Sequence, residues 1–238
     1  MAKLPGYAKL WIPINYSERP AQAKIDAIVL HYTAAGHWRG TYRWFAEYAQ
    51  AKASAHFIVG RDGELIHCVP VGDKAWHAGN SIMRNDAGTA MYDVNSFSVG
   101  FEICNFGLLD RHVDGSYWFD SGASAVQYQG TKYPEPVDAT LSYAGQPTYS
   151  GPWEPYTRKQ FDAVVQACKV LVDSGIHLHR IVGHESICTP IGRKRDPGPL
   201  WPWREFYSAL GATASELESD ALWINHLVDA RDKQPRLV

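Results

Sequence analysis

The run Ile25-Asp-Ala-Ile-Val-Leu-His31 is short, apolar and closed by a histidine. An apolar run of this length bounded by polar sequence reads as a buried strand, and a strand fixes where its last side chain stands. His31 is therefore expected at a strand end. A second run, Ile181-Val-Gly-His184, is expected as a short edge strand. The stretch after it, from Thr189 to Pro199, is held to loop by its prolines and glycines, and it carries Asp196. Two imidazoles and one carboxylate are thus directed toward one edge of a sheet. Three protein donors of these types, with a fourth position left to water, form the ligand set of a catalytic zinc, because a fourth protein ligand would displace the water whose pKa the metal lowers. On spacing alone, the alternative of three unrelated polar residues near strand ends stays open.

Other segments supply the frame. Thr41 to Ala53 has helix-forming composition, with Trp44, Phe45 and Tyr48 spaced to share a face directed at the core. Ser54 to Val59 and Glu64 to Val69 are β-rich and flank Gly60-Arg-Asp-Gly63, so they are expected as an antiparallel hairpin. In Ser96 to Ile103, Phe97, Val99 and Phe101 alternate with Ser98, Gly100 and Glu102, which puts Glu102 on the face opposite the apolar residues. Thr157-Arg-Lys-Gln160 has the form of a capping box, and the helix it opens runs to a stop at Gly175. A short helix is expected from about Pro202 to Leu210, and the tail after Gly211 carries Leu217, Leu222, Trp223, Ile224, Leu227 and Val228 for a further helix.

The resulting organisation is an extension over residues 1–24, one catalytic domain over 25–210 and a helical tail over 211–238. Residues 105–155 are rich in Gly, Ser, Tyr and Pro and read as a loop-rich insertion whose aromatics either contact a sugar or anchor the loop. With 23 Lys and Arg against 25 Asp and Glu there is no charge excess to draw nucleic acid, and no apolar run is long enough to span a bilayer. Neither nucleic acid nor membrane is expected as a partner. The start lacks a secretory signal pattern, so synthesis in the cytoplasm is expected. The four cysteines, Cys68, Cys104, Cys168 and Cys188, form no CxxC pair and read as buried thiols. His184-Glu-Ser-Ile-Cys188 begins like the His-Glu-x-x-His zinc helix, but Cys188 replaces its second histidine, and Pro190 with Gly192 argues against a helix there.

Seven segments, in order, resemble the zinc-dependent N-acetylmuramoyl-L-alanine amidases, a family that includes muropeptide-recycling enzymes, phage lysins and peptidoglycan recognition proteins. They are Ile28-Val-Leu-His-Tyr-Thr33, Ala53-Ser-Ala-His-Phe-Ile-Val59, Arg61-Asp-Gly-Glu64, Ala75-Trp-His-Ala-Gly79, Ser98-Val-Gly-Phe-Glu-Ile103, Ile181-Val-Gly-His184 and Gly192-Arg-Lys-Arg-Asp-Pro-Gly-Pro199. The resemblance implies an α/β fold, a central mixed β-sheet flanked by helices, with Zn2+ on His31, His184 and Asp196. It implies hydrolysis of the bond between N-acetylmuramic acid and L-alanine in peptidoglycan or muropeptides. By the same match Glu102 takes the place of the acid/base carboxylate and Lys194 that of the lysine facing the oxyanion. His56, Trp76, His77 and Asn80 are implied to line the groove, and Arg193 to meet a stem-peptide carboxylate.

Two positions depart from parts of the family. Ala55 stands where phage lysins often have tyrosine, and Asp93 stands where the recycling branch is expected to carry a basic residue, which argues against restriction to anhydro-muropeptides. Two other functions are weighed against turnover: a non-catalytic peptidoglycan-binding module, and the wall-degrading component of a phage or toxin delivery system. A binding module is expected to have lost a ligand, whereas His31, His184, Asp196, Glu102 and Lys194 are all present. The enzyme is expected to act on muropeptides in the cytoplasm or to reach the wall through another export system.

Overall fold

In the computed structural model, which describes residues 7–122, 125–129, 132–143, 148–226 and 237, the apolar run becomes the strand Ala27–Tyr32. It lies inside a six-stranded sheet ordered Tyr7–Lys9, Leu65–His67, Phe57–Val59, Ser98–Ile103, Ala27–Tyr32 and Ile181–Gly183. The Ala27–Tyr32 strand pairs in parallel with Ser98–Ile103 on one side and with Ile181–Gly183 on the other. Only the hairpin pair Phe57–Val59 and Leu65–His67 runs antiparallel, so the sheet is mixed. Ile181–Gly183 is an edge strand, as its sequence suggested.

Both faces of this sheet are covered, which explains why its central strands carry almost no exposed side chain. On one face Ile28, Leu30, Val99, Phe101 and Ile181 pack against Phe161, Val164 and Cys168 of the helix Arg158–Asp173 and against Trp203, Phe206 and Tyr207 of the helix Trp203–Ala209. The longer helix opens on the Thr157 capping box and stops before Gly175, whose φ of 108° suits a residue without a Cβ. On the other face Ile58 and Ile66 meet Phe45 of the helix Trp38–Glu47, while Ala27, Val29 and Val182 meet Ala78, Met83, Val94 and Ile187. His31 and Glu102 follow Val29 and Gly100 at the period of two, and therefore reach this second face at the carboxyl ends of their strands. That is where open α/β sheets place ligands.

Several expectations are corrected. The first helix begins at Trp38 and ends at Glu47, because Tyr48 turns extended. Of its three aromatics only Phe45 is core; Trp44 is 47% exposed and Tyr48 39%. Residues 105–155 are not simply loop: they hold a three-stranded sheet of Asp110–Arg111, Tyr117–Asp120 and Ala125–Tyr128, and a hairpin of Val137–Leu141 with Tyr149–Trp153. Val137 and Val126 are exposed while Leu141, Tyr128 and Trp153 are buried, so too few positions alternate for the period to be read. His184–Ile187 does form one helical turn, ended by extended Cys188. Within the extension, Tyr7–Lys9 joins the main sheet and Tyr16–Glu18 pairs with Asp73–Ala75. Among its described residues the tail has two short turns, Ala214–Glu218 and Asp220–Trp223, which carry Leu217, Leu222 and Trp223 onto the core; Leu227 and Val228 lie outside the described residues. All four cysteines are free and buried.

A buried ion pair ties the insertion to the sheet. The guanidinium of Arg61 donates from Nε and Nη2 to Glu154 at 2.7–2.9 Å, and Glu154 also accepts the Phe106 N–H at 2.6 Å. Arg61 further donates to the carbonyl of Gly36, just past the His31 strand. Removing one partner of such a pair strands a charge out of water. We predict that Arg61→Met lowers the unfolding free energy by about 3 kcal/mol in urea denaturation, whereas Lys159→Met, which removes the exposed pair with Asp62, leaves it unchanged within error.

Candidate metal centre

The strand register decides where the chemistry meets. His31 sits opposite Glu102, and Gly183 opposite Leu30, so His184 emerges beside His31. Asp196 comes from the loop that follows, and its carbonyl accepts the Glu185 N–H at 2.9 Å. His31, His184 and Asp196 are all buried, and one potential ligand atom from each lies within 4.8 Å of the others. Nδ1 of His31 stands 2.8 Å from Asp196 Oδ2, Nδ1 of His184 3.0 Å from the same oxygen, and the two Nδ1 atoms 3.0 Å apart.

The surrounding hydrogen bonds assign the protons. Nε2 of His184 lies 2.9 Å from the Ala78 carbonyl, which can only accept, so Nε2 carries a hydrogen and Nδ1 is the nitrogen turned to Asp196. For His31 the assignment follows a relay that can run in one direction. Ser98 Oγ donates to the Val94 carbonyl at 2.6 Å and so accepts from His77 Nε2 at 3.2 Å; His77 Nδ1 then accepts from His31 Nε2 at 3.0 Å. His31 Nδ1 is the nitrogen turned to Asp196 and His184. Burial, followed by the neighbouring His184, pushes the His31 imidazole down to about 4, so it is neutral at physiological pH. Burial works to raise the Asp196 carboxyl, but the two imidazoles beside it prevail and hold it well below the usual range. Two imidazole nitrogens and one carboxylate oxygen thus converge on one point, a donor set suited to a cation at its centre. The site fits a metal ion. A tetrahedral ion with bonds of 2.0–2.2 Å would set its ligands roughly 3.3 Å apart, close to the separations here.

The centre opens into a cavity of about 730 Å³ lined by His31, His77, Glu102, His184, Lys194 and Asp196, with Trp76 and Arg193 also on its wall. Glu102 is only partly covered as a residue, but its Oε2 is shut off from solvent without a hydrogen-bond partner among the described residues. Burial, reinforced by Asp196 and opposed by Lys194, pushes its carboxyl well above the ordinary range. Further wall positions, among them Thr33, Thr41, Trp44, Ser54 and Ser121, were not anticipated. Trp44 had been placed on the core face, and Ser121 comes from the insertion, where composition carried no signal.

Two expected groove residues lie elsewhere. His56 is fully buried, its Nδ1 accepting the Gly100 N–H at 3.0 Å and its Nε2 facing Arg19 at 2.9 Å, so it holds backbone rather than ligand. Asn80 lies outside the cavity wall and is turned to the rim, where it donates to the Thr189 carbonyl and its own carbonyl accepts from Arg193. His77 borders the cavity, yet its two ring nitrogens are spent on His31 and Ser98. It orients a ligand.

A buried His-His-carboxylate cluster able to hold a metal ion, open on one side and set at the carboxyl ends of parallel strands beside a second carboxylate, is an arrangement suited to a hydrolase of α/β fold. Residues 21–199 match the family model of N-acetylmuramoyl-L-alanine amidase, and the chain belongs to that family and is an amidase of its kind. It is 27% identical over 220 residues to the 1,6-anhydro-N-acetylmuramyl-L-alanine amidase AmpD of Salmonella typhimurium, covering 86% of this chain and 90% of the relative. The same amidase from Enterobacter cloacae is 27% identical over 176 residues, 74% of this chain and 66% of the relative. Among solved structures, the complex of the N-acetylmuramyl-L-alanine amidase AmiD from Escherichia coli with the substrate anhydro-N-acetylmuramic acid-L-Ala-D-gamma-Glu-L-Lys superposes with a TM-score of 0.55 at 24% identity, over 84% of this chain and 65% of that one; this likeness is one of fold. Among the described residues no helix is long and apolar enough to cross a membrane.

Gly100 offers a direct check on the relay. A Cβ there would fall 2.4 Å from Cγ of His77, so Gly100→Ala must displace the ring that orients His31. We predict a loss of metal affinity of about 10- to 100-fold in a chelator competition titration, while Gly72→Ala, where a Cβ meets nothing within 4 Å, leaves affinity unchanged.

Proposed function

We propose that the chain uses one zinc ion, held by His31, His184 and Asp196, to cleave the amide between the lactyl group of N-acetylmuramic acid and L-alanine in peptidoglycan or its muropeptide fragments. The observation that carries this reading is the convergence of two imidazole nitrogens and one carboxylate oxygen beside a Glu102 oxygen that is shut off from solvent without a partner among the described residues. Nitrogen and oxygen donors in this number suit zinc with a coordination position left open. The relatives named for 1,6-anhydro-N-acetylmuramyl-L-alanine and the AmiD complex with an anhydro-muropeptide support the substrate class. A binding module without turnover would not need all three ligands together with Glu102 and Lys194.

Zinc, when bound, supplies a Lewis acid beside the amide carbonyl and makes water acidic enough to lose a proton near neutral pH. The chain's own residues do the rest. Glu102, whose burial raises its proton affinity, accepts the proton of the attacking water. Lys194 brings an ammonium to the same cavity, where it faces the oxygen that gains negative charge, a contribution of about 3 kcal/mol for a well-placed donor. Glu102 then returns its proton to the departing L-alanine nitrogen, which leaves as an amine. Arg193 stands exposed at the cavity rim, placed to meet a carboxylate of the stem peptide. Trp76 forms part of the wall.

Chelation is predicted to abolish peptide release from muropeptides, and added zinc to restore it. Glu102→Gln is predicted to retain one equivalent of zinc by elemental analysis while kcat falls by about 10²- to 10⁴-fold; full turnover in that variant would remove Glu102 from the reaction. Comparing release from intact sacculi with release from soluble fragments decides between a wall-degrading and a recycling role.

A further inference from the structure

The loop that carries Lys194 and Asp196 has little regular structure of its own, yet it must hold both to a fraction of an ångström. Its carbonyls are gripped from one side. Tyr143 Oη donates to the Lys194 carbonyl at 2.8 Å and Tyr149 Oη to the Gly192 carbonyl at 2.9 Å. The guanidinium of Arg195 lies 4.7 Å from the centre of the Tyr149 ring. Just beyond the hairpin, Tyr156 Oη donates to the Pro197 carbonyl at 2.8 Å, and Trp153 packs so closely on Gly198 that a Cβ there would meet its ring at 2.9 Å. Tyr143 and Trp153 belong to one small cluster, packed with Leu141 and Leu200, apart from the main core.

We infer that Tyr143 and Tyr149 of the insertion are positioning residues for the amidase reaction: through the carbonyls of Lys194 and Gly192 they hold the loop so that Lys194 and Asp196 stay in register with His31 and His184. This rests on the metal-centred reading above. It gives the hairpin Val137–Leu141 with Tyr149–Trp153 a task that its sequence, read as loop, did not disclose. Neither phenol touches the reacting atoms. Their effect passes through two backbone carbonyls, so losing one hydroxyl lets the loop drift without emptying the site.

The test compares Tyr143→Phe, Tyr149→Phe and the double variant with Tyr128→Phe, which removes a like hydrogen bond, to the Pro134 carbonyl, from the other part of the insertion. Each is measured for kcat, KM and melting temperature, and for zinc affinity by competition with a chromophoric chelator. For Tyr143→Phe we expect kcat and zinc affinity each to fall about tenfold, with KM unchanged and a melting shift no larger than that of Tyr128→Phe. The double variant should lose more, and Tyr128→Phe should keep wild-type kcat and zinc affinity. Variants of Tyr143 and Tyr149 that melt earlier but keep both kcat and zinc affinity would show a merely structural role and overturn the proposal. If the double variant does not fold, the single ones decide. A wild-type protein that binds zinc but releases no peptide would overturn the proposed function instead, and zinc affinities of the variants would still decide the positioning role.

Discussion

Two imidazole nitrogens and one carboxylate oxygen held within about 3 Å of one another are the constraint on which the site depends, and the structure around the centre fixes how they meet. Each imidazole is prevented from turning its protonated nitrogen inward. The Ala78 carbonyl fixes His184, and the relay through His77, Ser98 and the Val94 carbonyl fixes His31. Both partners are buried, so water does not compete with the assignment. An acceptor-only carbonyl at the end of each path gives the network its direction.

The sheet supplies the geometry for this. Parallel pairing of three strands sets His31, Glu102 and the start of His184 side by side at one level, on the face away from the main core. Gly100 is the concession the register demands, since the His77 ring occupies the space a side chain would fill. The same strands bury Val99 and Phe101 against the helix Arg158–Asp173 on the opposite face, so moving the site would require unpacking the core. The loop bearing Lys194 and Asp196 then closes the site from the side where the insertion stands.

Much of this was legible in the residues themselves. The terminal positions of His31 and His184 followed from short apolar runs, and the side on which Glu102 stands followed from alternation. The Thr157 capping box and the helix it begins were also readable, because capping and a helical apolar face point the same way there. The roles of His56 and His77 were not, because a sequence gives residue type and not depth: one proved to be fully buried and to hold the Gly100 backbone, the other to serve a neighbour. Trp44 illustrates the same limit, since its helix presents Phe45 to the core and turns Trp44 to the cavity. The strands of 105–155 escaped notice because their side chains pack in small aromatic clusters rather than on one continuous apolar face.

X-ray absorption at the zinc edge of the metal-loaded protein addresses the central claim most directly. The account predicts one ion per chain with two imidazole nitrogens at about 2.0–2.1 Å and light oxygen ligands at about 2.0–2.2 Å, without sulfur, and it predicts that His184→Ala removes one imidazole from that shell. A sulfur ligand near about 2.3 Å, or a shell unaltered by loss of His184, would contradict it.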